Sequence, residues 1–121
     1  MAAQTYARAD GLAESALRLI LASCSPEQAE PLLLTLLGER LVGCGNLVRS
    51  VRSHYWWQGE IQSDDEVLML METTAELSQA ATARLRELHP YDLPKILVLD
   101  PERADDDYVA WLRGVVIDSQ G

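Results

Sequence analysis

One segment, SHYWWQGEI at residues 53–61, constrains the architecture more than any other part of the chain. Side chains alternate along a strand, so one face is expected to carry Ser53, Tyr55, Trp57, Gly59 and Ile61. The opposite face then carries His54, Trp56, Gln58 and Glu60. Ordinary aromatic packing in a hairpin accounts for either indole alone. Two adjacent indoles on opposite faces are both buried only if two surfaces cover them, which predicts a ribbon that reaches into another subunit.

Apolar periodicity and capping residues predict the remaining elements. They are a strand from Leu17 to Ala22, a helix from Pro26 to about Leu41, an extended segment over 45–62, a strand from Val67 to Met71, a helix stopped by His89-Pro90, a strand from Ile96 to Leu99, and a last helix that follows Asp105. Ser25 with Gln28 and Thr73 with Glu76 form candidate capping boxes. The run at 63–65, Ser-Asp-Asp, has the chemistry of a turn.

This order, βαββαβ with a terminal helix, is the ferredoxin-like arrangement. It predicts an α+β fold with a four-stranded antiparallel sheet and helices on one face. Apolar side chains point both ways from Val67 to Met71, so the other face also needs cover, and a second copy of the chain is the economical cover. We expect one domain over residues 17–121, preceded by a flexible N-terminal tail over 1–16.

The net charge and the cysteine content argue against several classes of function. The 121 residues include 10 basic and 19 acidic side chains, for a net charge of −9. Nucleic acid and anionic membranes both require a positive footprint, so neither is expected as a partner. The two cysteines, Cys24 and Cys44, form no Cys-x-x-Cys pair and no disulfide framework. A reducing, cytoplasmic setting is the simpler interpretation.

The sequence carries none of the common enzyme motifs. It has no Gly-x-Ser-x-Gly, no Gly-rich phosphate loop and no His-Glu-x-x-His. The predicted central strands, Leu17–Ala22 and Val67–Met71, have no aromatic side chain on which RNA bases could stack. We therefore expect neither an enzyme nor a required cofactor.

Five blocks in chain order resemble the CutA family of divalent-cation tolerance proteins. They are RLVGCGN at 40–46, Ser53-x-Tyr55-x-Trp57-x-Gly59-x-Ile61, Glu66-Val67 with Thr73, HPYDLP at 89–94, and Tyr108-x-x-Trp111-Leu112. The resemblance implies a homotrimer of ferredoxin-like subunits in which each long hairpin pairs with a neighbour's sheet. It also implies a cleft between subunits lined by Cys44, Asn46, Tyr55, Trp57, His89 and Tyr91.

Two positions depart from the family pattern. The family usually has Lys before the Thr at 73, where this chain has Glu72. It usually has an acidic residue after the HPYxxP motif, where this chain has Lys95, its only lysine. The two charges are exchanged, and we hypothesise that Glu72 and Lys95 form an ion pair at the cleft. Two exposed, independent charges are the plainer alternative.

The resemblance also suggests Cu²⁺ or another divalent cation, held by a Cys at the end of the first strand and by the His of the HPY motif. His89 matches the second ligand. Cys24 lies one residue beyond the expected position, which Ser23 occupies, and such a shift reverses the facing side of a strand. Three functions remain open: a metal-binding protein, a small-ligand signalling trimer similar to the nitrogen-regulatory PII proteins, and a structural scaffold.

Overall fold

The computed structural model describes residues 12–14 and 16–117. Within them the chain forms β1 (Leu12–Glu14), β2 (Leu17–Cys24), α1 (Pro26–Gly38), β3 (Cys44–Trp57), β4 (Glu60–Thr74), α2 (Ser78–Leu88), β5 (Ile96–Leu99), β6 (Arg103–Asp105) and α3 (Asp106–Val115). The predicted α+β, ferredoxin-like fold is confirmed. Of the predicted tail, residues 1–11 and 15 lie outside the described part, and β1 pairs antiparallel with β6.

The main sheet has the order β3-β4-β2-β5 and every pairing in it is antiparallel. α1 and α2 cover one face, where the core lies. The buried side chains of this core alternate along β2 and β4 and recur at helical spacing along α1 and α2; the largest are Ile20, Leu36, Met69, Met71 and Leu85. On this face, the apolar side chains that alternate along the strands pack against those that recur along the helices.

The hairpin between β3 and β4 extends beyond the sheet. β2 pairs with β4 only over Val67–Thr74, so residues 51–66 form a two-stranded ribbon, called the arm below. The strands bulge between Val48 and Val51, where Ser50 has a φ of 64°. A bulge of this kind bends a strand and increases its twist.

The chain reverses at Gln58-Gly59, so the predicted turn at 63–65 is wrong. Both turn residues have positive φ, 50° and 81°, as in the tight turns that suit twisted hairpins. The new turn position also changes which side chains share a face of the hairpin. Ile61 is the cross-strand partner of Trp56 and lies on the same face as Trp56, not on the face of Tyr55 and Trp57.

α1 begins at Pro26 as predicted, but its capping bonds and the start of α2 differ from prediction. Ser25 is the N-cap of α1, but its hydroxyl contacts the Gln28 side chain at 3.3 Å, and the cap bonds run from the Gln28 and Ala29 amides to its carbonyl. α1 ends at Gly38, three residues before Leu41. Thr73 is a buried strand residue that donates its hydroxyl to the Leu41 carbonyl at 2.7 Å, so it caps no helix.

α3 packs against the loop that joins α1 to β3. Leu112 is fully buried, and a Cβ placed at Gly43 would lie 2.5 Å from Leu112 Cδ1. Arg40 donates to the Val115 carbonyl at 2.9 Å, and the Ile117 amide donates to the Arg40 carbonyl at 2.8 Å. A cation at a helix C-terminus also interacts favourably with the negative end of the helix dipole. α3 therefore lies against the end of the sheet at which β3 begins.

Candidate functional site

Most of the residues predicted for the site lie in three separate places in one chain. The first, called the His89 cluster below, lies where β2 ends and contains Cys24, Glu66, His89 and Tyr91. His89 Nε2 donates to the Ser23 carbonyl at 2.8 Å, and its Nδ1 accepts from the Tyr91 amide at 3.2 Å. These two bonds fix the neutral tautomer that is protonated at Nε2. The proline after His89 ends α2 and brings Tyr91 back beside the imidazole, at a ring separation of 4.7 Å.

Glu66 and Tyr91 complete this cluster. The Glu66 side chain is buried, and the Tyr91 hydroxyl donates to its Oε2 at 2.7 Å. Burial, followed by the bond to the Glu66 carboxylate, raises the pKa of Tyr91 above its usual value. Burial likewise raises the pKa of the Cys24 thiol. The cluster thus keeps its phenol and thiol protonated at neutral pH.

The His89 cluster does not present a ready metal-ligand set within one chain. A metal ion binds the unprotonated nitrogen of imidazole and the thiolate of cysteine. Both His89 nitrogens are engaged in hydrogen bonds, and the Cys24 thiol is fully buried. Over residues 12–14 and 16–117 no group of three or more His, Cys, Asp or Glu side chains could hold a metal ion.

A second group of side chains, called the Glu72 corner below, lies at the opposite end of the sheet and contains Cys44, Glu72, Tyr108 and Trp111. Cys44 and Glu72 are cross-strand partners on β3 and β4. The Tyr108 hydroxyl donates to Glu72 Oε1, and the Tyr108 and Trp111 rings lie 5.4 Å apart. Burial raises the pKa of Tyr108, and hydrogen bonds to Glu72 and Cys44 add to the effect.

The third place is the arm, which carries Tyr55 and Trp57. The Tyr55 hydroxyl donates to Asp64 Oδ2 across the two strands, and this bond raises the pKa of Tyr55. Trp57 is 43% exposed and Trp56 is 72% exposed. Neither indole has the cover that the alternation predicted, so in a single chain both remain in contact with water.

The predicted Glu72–Lys95 ion pair is not formed within the chain. Glu72 lies opposite Leu19, whereas Lys95 precedes Ile96, which lies opposite Ala22. Four strand residues and two strand spacings separate them, about 13 Å along the sheet and about 10 Å across it. Asn46, the remaining predicted cleft residue, is exposed on β3 opposite Leu70.

Two functional candidates were missed as site residues. Glu66 and Tyr108 both belong to blocks that resemble the family, but neither is among the predicted cleft residues. Glu66 directly precedes the apolar run at 67–71, and this position on a buried strand was the signal that could have identified it. Tyr108 gave no comparable signal, because only the packing of α3 brings it to Glu72.

The fold and these sites define a class: a small ferredoxin-like α+β protein with polar clusters at both ends of its sheet. The family model described as CutA1 divalent ion tolerance protein matches residues 18–115. The chain belongs to this family.

Curated relatives and solved structures agree. The divalent-cation tolerance protein CutA of Pyrococcus horikoshii is 44% identical over 86 residues, 71% of this chain and 83% of that protein. That of Thermus thermophilus is 38% identical over 89 residues, 74% of this chain and 86% of that protein. The structure of CutA from Synechococcus elongatus matches with a TM-score of 0.82 at 35% identity, over 88% of this chain and 96% of that one.

Proposed function

We propose that this protein acts in divalent-cation tolerance as a cytoplasmic, non-enzymatic homotrimer whose ligand cleft lies between subunits. One observation carries the proposal: the face of the sheet opposite α1 and α2, called the open face below, is apolar, and Val48, Leu97 and Leu99 on it are exposed in a single chain. The names of its relatives support the physiological role. The free cysteines support the reducing compartment.

The open face is continuous across the sheet. Register places the following side chains on it, on four neighbouring strands: Leu19, Leu21, Val48, Leu68, Leu70, Leu97 and Leu99. Leu97 is 47% exposed and Leu99 is 44% exposed. An apolar patch of this extent on a protein with a net charge of −9 marks an interaction surface.

The arm supplies the complementary surface. A two-stranded ribbon is marginally stable alone, and this one exposes Trp56, Trp57 and Ile61 to solvent. A cyclic trimer in which each arm lies against a neighbour's sheet covers both surfaces at once. The same arrangement brings Tyr55 and Trp57 of one copy to the polar clusters of the next. The predicted cleft would then be lined by residues from neighbouring copies.

The described part of the chain has no helix long and apolar enough to cross a membrane. Because the donors of the His89 cluster are engaged within one chain, we propose that a divalent cation such as Cu²⁺, or a small molecule, binds only where two subunits meet.

Growth at graded metal concentrations tests the physiological role. A bacterial strain that lacks its own CutA is complemented with this protein or with an empty vector, and growth is measured with added Cu²⁺, Zn²⁺ and Co²⁺. We expect the protein to raise the tolerated concentration of at least one cation. Equal sensitivity with and without the protein contradicts the role.

Calorimetry separates direct binding from an indirect role. The purified protein and its His89→Ala variant are titrated with Cu²⁺. If cation binding at the cleft uses the imidazole, the variant loses the binding seen in the native protein. Binding that His89→Ala leaves unchanged contradicts a His89 ligand, and complete absence of binding leaves a small-molecule ligand as the remaining form of the proposal.

A further inference from the structure

The open face has one uncompensated charge at each of its two ends. Glu72 lies on this face because its strand neighbours Met71 and Thr73 point to the core. Lys95 is exposed and directly precedes Ile96, so it lies at the end of β5 that is farther from Glu72. Among the described residues, neither Glu72 nor Lys95 has an ion-pair partner within the chain.

The Glu72 carboxylate is oriented but only half satisfied. Tyr108 donates to Oε1, and no other described group donates to Oε2. No buried side-chain oxygen of the described residues lacks a partner, so Oε2 is reached by solvent. An atom in this position is free to accept a bond from a group outside the chain.

We propose that Lys95 of one copy pairs with Glu72 of the neighbouring copy, and that this contact sets the head-to-tail orientation of the assembly. The proposal rests on the proposed homotrimer. A cyclic trimer is built from head-to-tail contacts, in which one surface of each copy meets a different surface of the next. Glu72 and Lys95 are suited to such a contact, because they lie at opposite ends of one apolar face.

The pairing of Glu72 with Lys95 is favoured because both charges lose water when the open face is covered. Covering the open face with a second copy removes water from both charges, and an unpaired charge in such an interface is strongly unfavourable. Pairing them compensates both at once.

Charge reversal tests the contact. We compare the native protein with Glu72→Lys, Lys95→Glu and the double variant, and measure the concentration at which the assembly dissociates by sedimentation. We expect each single reversal to raise it roughly tenfold or more. The double variant restores the attraction with reversed polarity, so it should recover most of the loss.

Two further comparisons keep the test interpretable. Arg86→Glu and Glu87→Lys reverse exposed charges on α2, across the sheet from the open face, and should leave assembly unchanged. If a reversal prevents folding, the same comparison of single and double variants is made with the neutral substitutions Glu72→Gln and Lys95→Gln. Mixing the two single-reversal proteins should give mixed assemblies in preference to either alone, because opposite charges then meet between copies.

The outcomes separate the two proposals. Additive losses in the double variant, or single reversals that behave like the α2 controls, overturn the ion pair and leave the homotrimer standing. A native protein that remains monomeric at micromolar concentration overturns the homotrimer, and the ion pair with it.

Discussion

At the level of single residues, Gly45 shows how closely α1 lies on the sheet. A Cβ at this position would lie 2.7 Å from Leu33 Cδ2 and closer still to Cδ1, inside a packed core. Gly114, near the end of α3, has nothing within 4 Å of its added Cβ. The two glycines therefore differ in what a methyl group would meet.

This difference predicts opposite effects of the same substitution. Gly45→Ala should lower the free energy of unfolding by about 1–3 kcal/mol, since overpacking forces neighbouring side chains to shift. Gly114→Ala should raise it by about 0.5–1 kcal/mol, because alanine loses less conformational entropy in a helix. Urea unfolding of both variants checks this, and a stable Gly45→Ala protein would show that Leu33 has room to move.

Tyr91 is the residue that satisfies the buried Glu66 carboxylate. Tyr91→Phe should lower the free energy of unfolding at neutral pH by about 1–3 kcal/mol, because a buried acceptor is left without its donor. The pKa of Tyr91 is raised in the folded state. The stability linked to this hydroxyl is therefore fully present below about pH 10, the pKa of an unfolded tyrosine, and is lost as the pH rises through the folded-state pKa.

Urea unfolding of the native protein and Tyr91→Phe from about pH 8 to 11 measures this linkage. The stability difference between them should shrink above about pH 10. The other tyrosines with raised pKa values, Tyr55 and Tyr108, are present in both proteins and so cancel in the difference. A difference that stays constant over the whole range would contradict the role assigned to the Tyr91 hydroxyl.

At the level of elements, the arm depends on a turn that the sequence only partly supports. Gly59 accepts positive φ without strain, but Gln58 has a Cβ and also adopts positive φ. Asn-Gly is the pair that this kind of turn prefers. Gln58→Asn should therefore stabilise the hairpin by about 0.5 kcal/mol.

Thermal and urea unfolding of Gln58→Asn check this prediction. Gly59→Ala serves as the opposite control, because it introduces a Cβ at a φ of 81°. It should destabilise the turn. If both variants unfold like the native protein, the turn does not limit the stability of the arm.

The element boundaries show what sequence patterns resolve. β5 occupies Ile96–Leu99 as predicted, and α2 ends before His89, because a short apolar run and a proline are local signals. The Thr73-Glu76 capping box was wrong because strand pairing continued through Thr74 and drew the Thr73 hydroxyl to the Leu41 carbonyl. The turn at 63–65 was wrong for a similar reason: cross-strand pairing of the arm overrode local turn chemistry.

At the level of the whole molecule, the exposure of Trp57 gives a test of assembly. In one chain its ring is 43% exposed, so its loss should cost the subunit little. In the proposed homotrimer it is covered by a neighbour. Trp57→Ala should therefore destabilise the assembly by about 3–5 kcal/mol, the usual scale for truncating a buried aromatic side chain.

Sedimentation of the native protein and Trp57→Ala over a dilution series measures this effect. Leu34→Ala, which truncates an exposed apolar side chain on the outer side of α1, is the control and should assemble normally. Assembly of Trp57→Ala at the same concentration as the native protein would show that the indole lies outside the interface.

The sequence by itself determined the order of the elements, the antiparallel ferredoxin-like sheet and the apolar character of both sheet faces, because these follow from local periodicity. It also placed Cys44, Glu72, His89 and Tyr91 among the residues of interest. Only the tertiary structure decided that they fall into clusters at opposite ends of the sheet, with Tyr108 joined to Glu72 and Glu66 joined to Tyr91. Contacts between residues distant in the chain depend on strand register and helix docking, and no local pattern encodes either one.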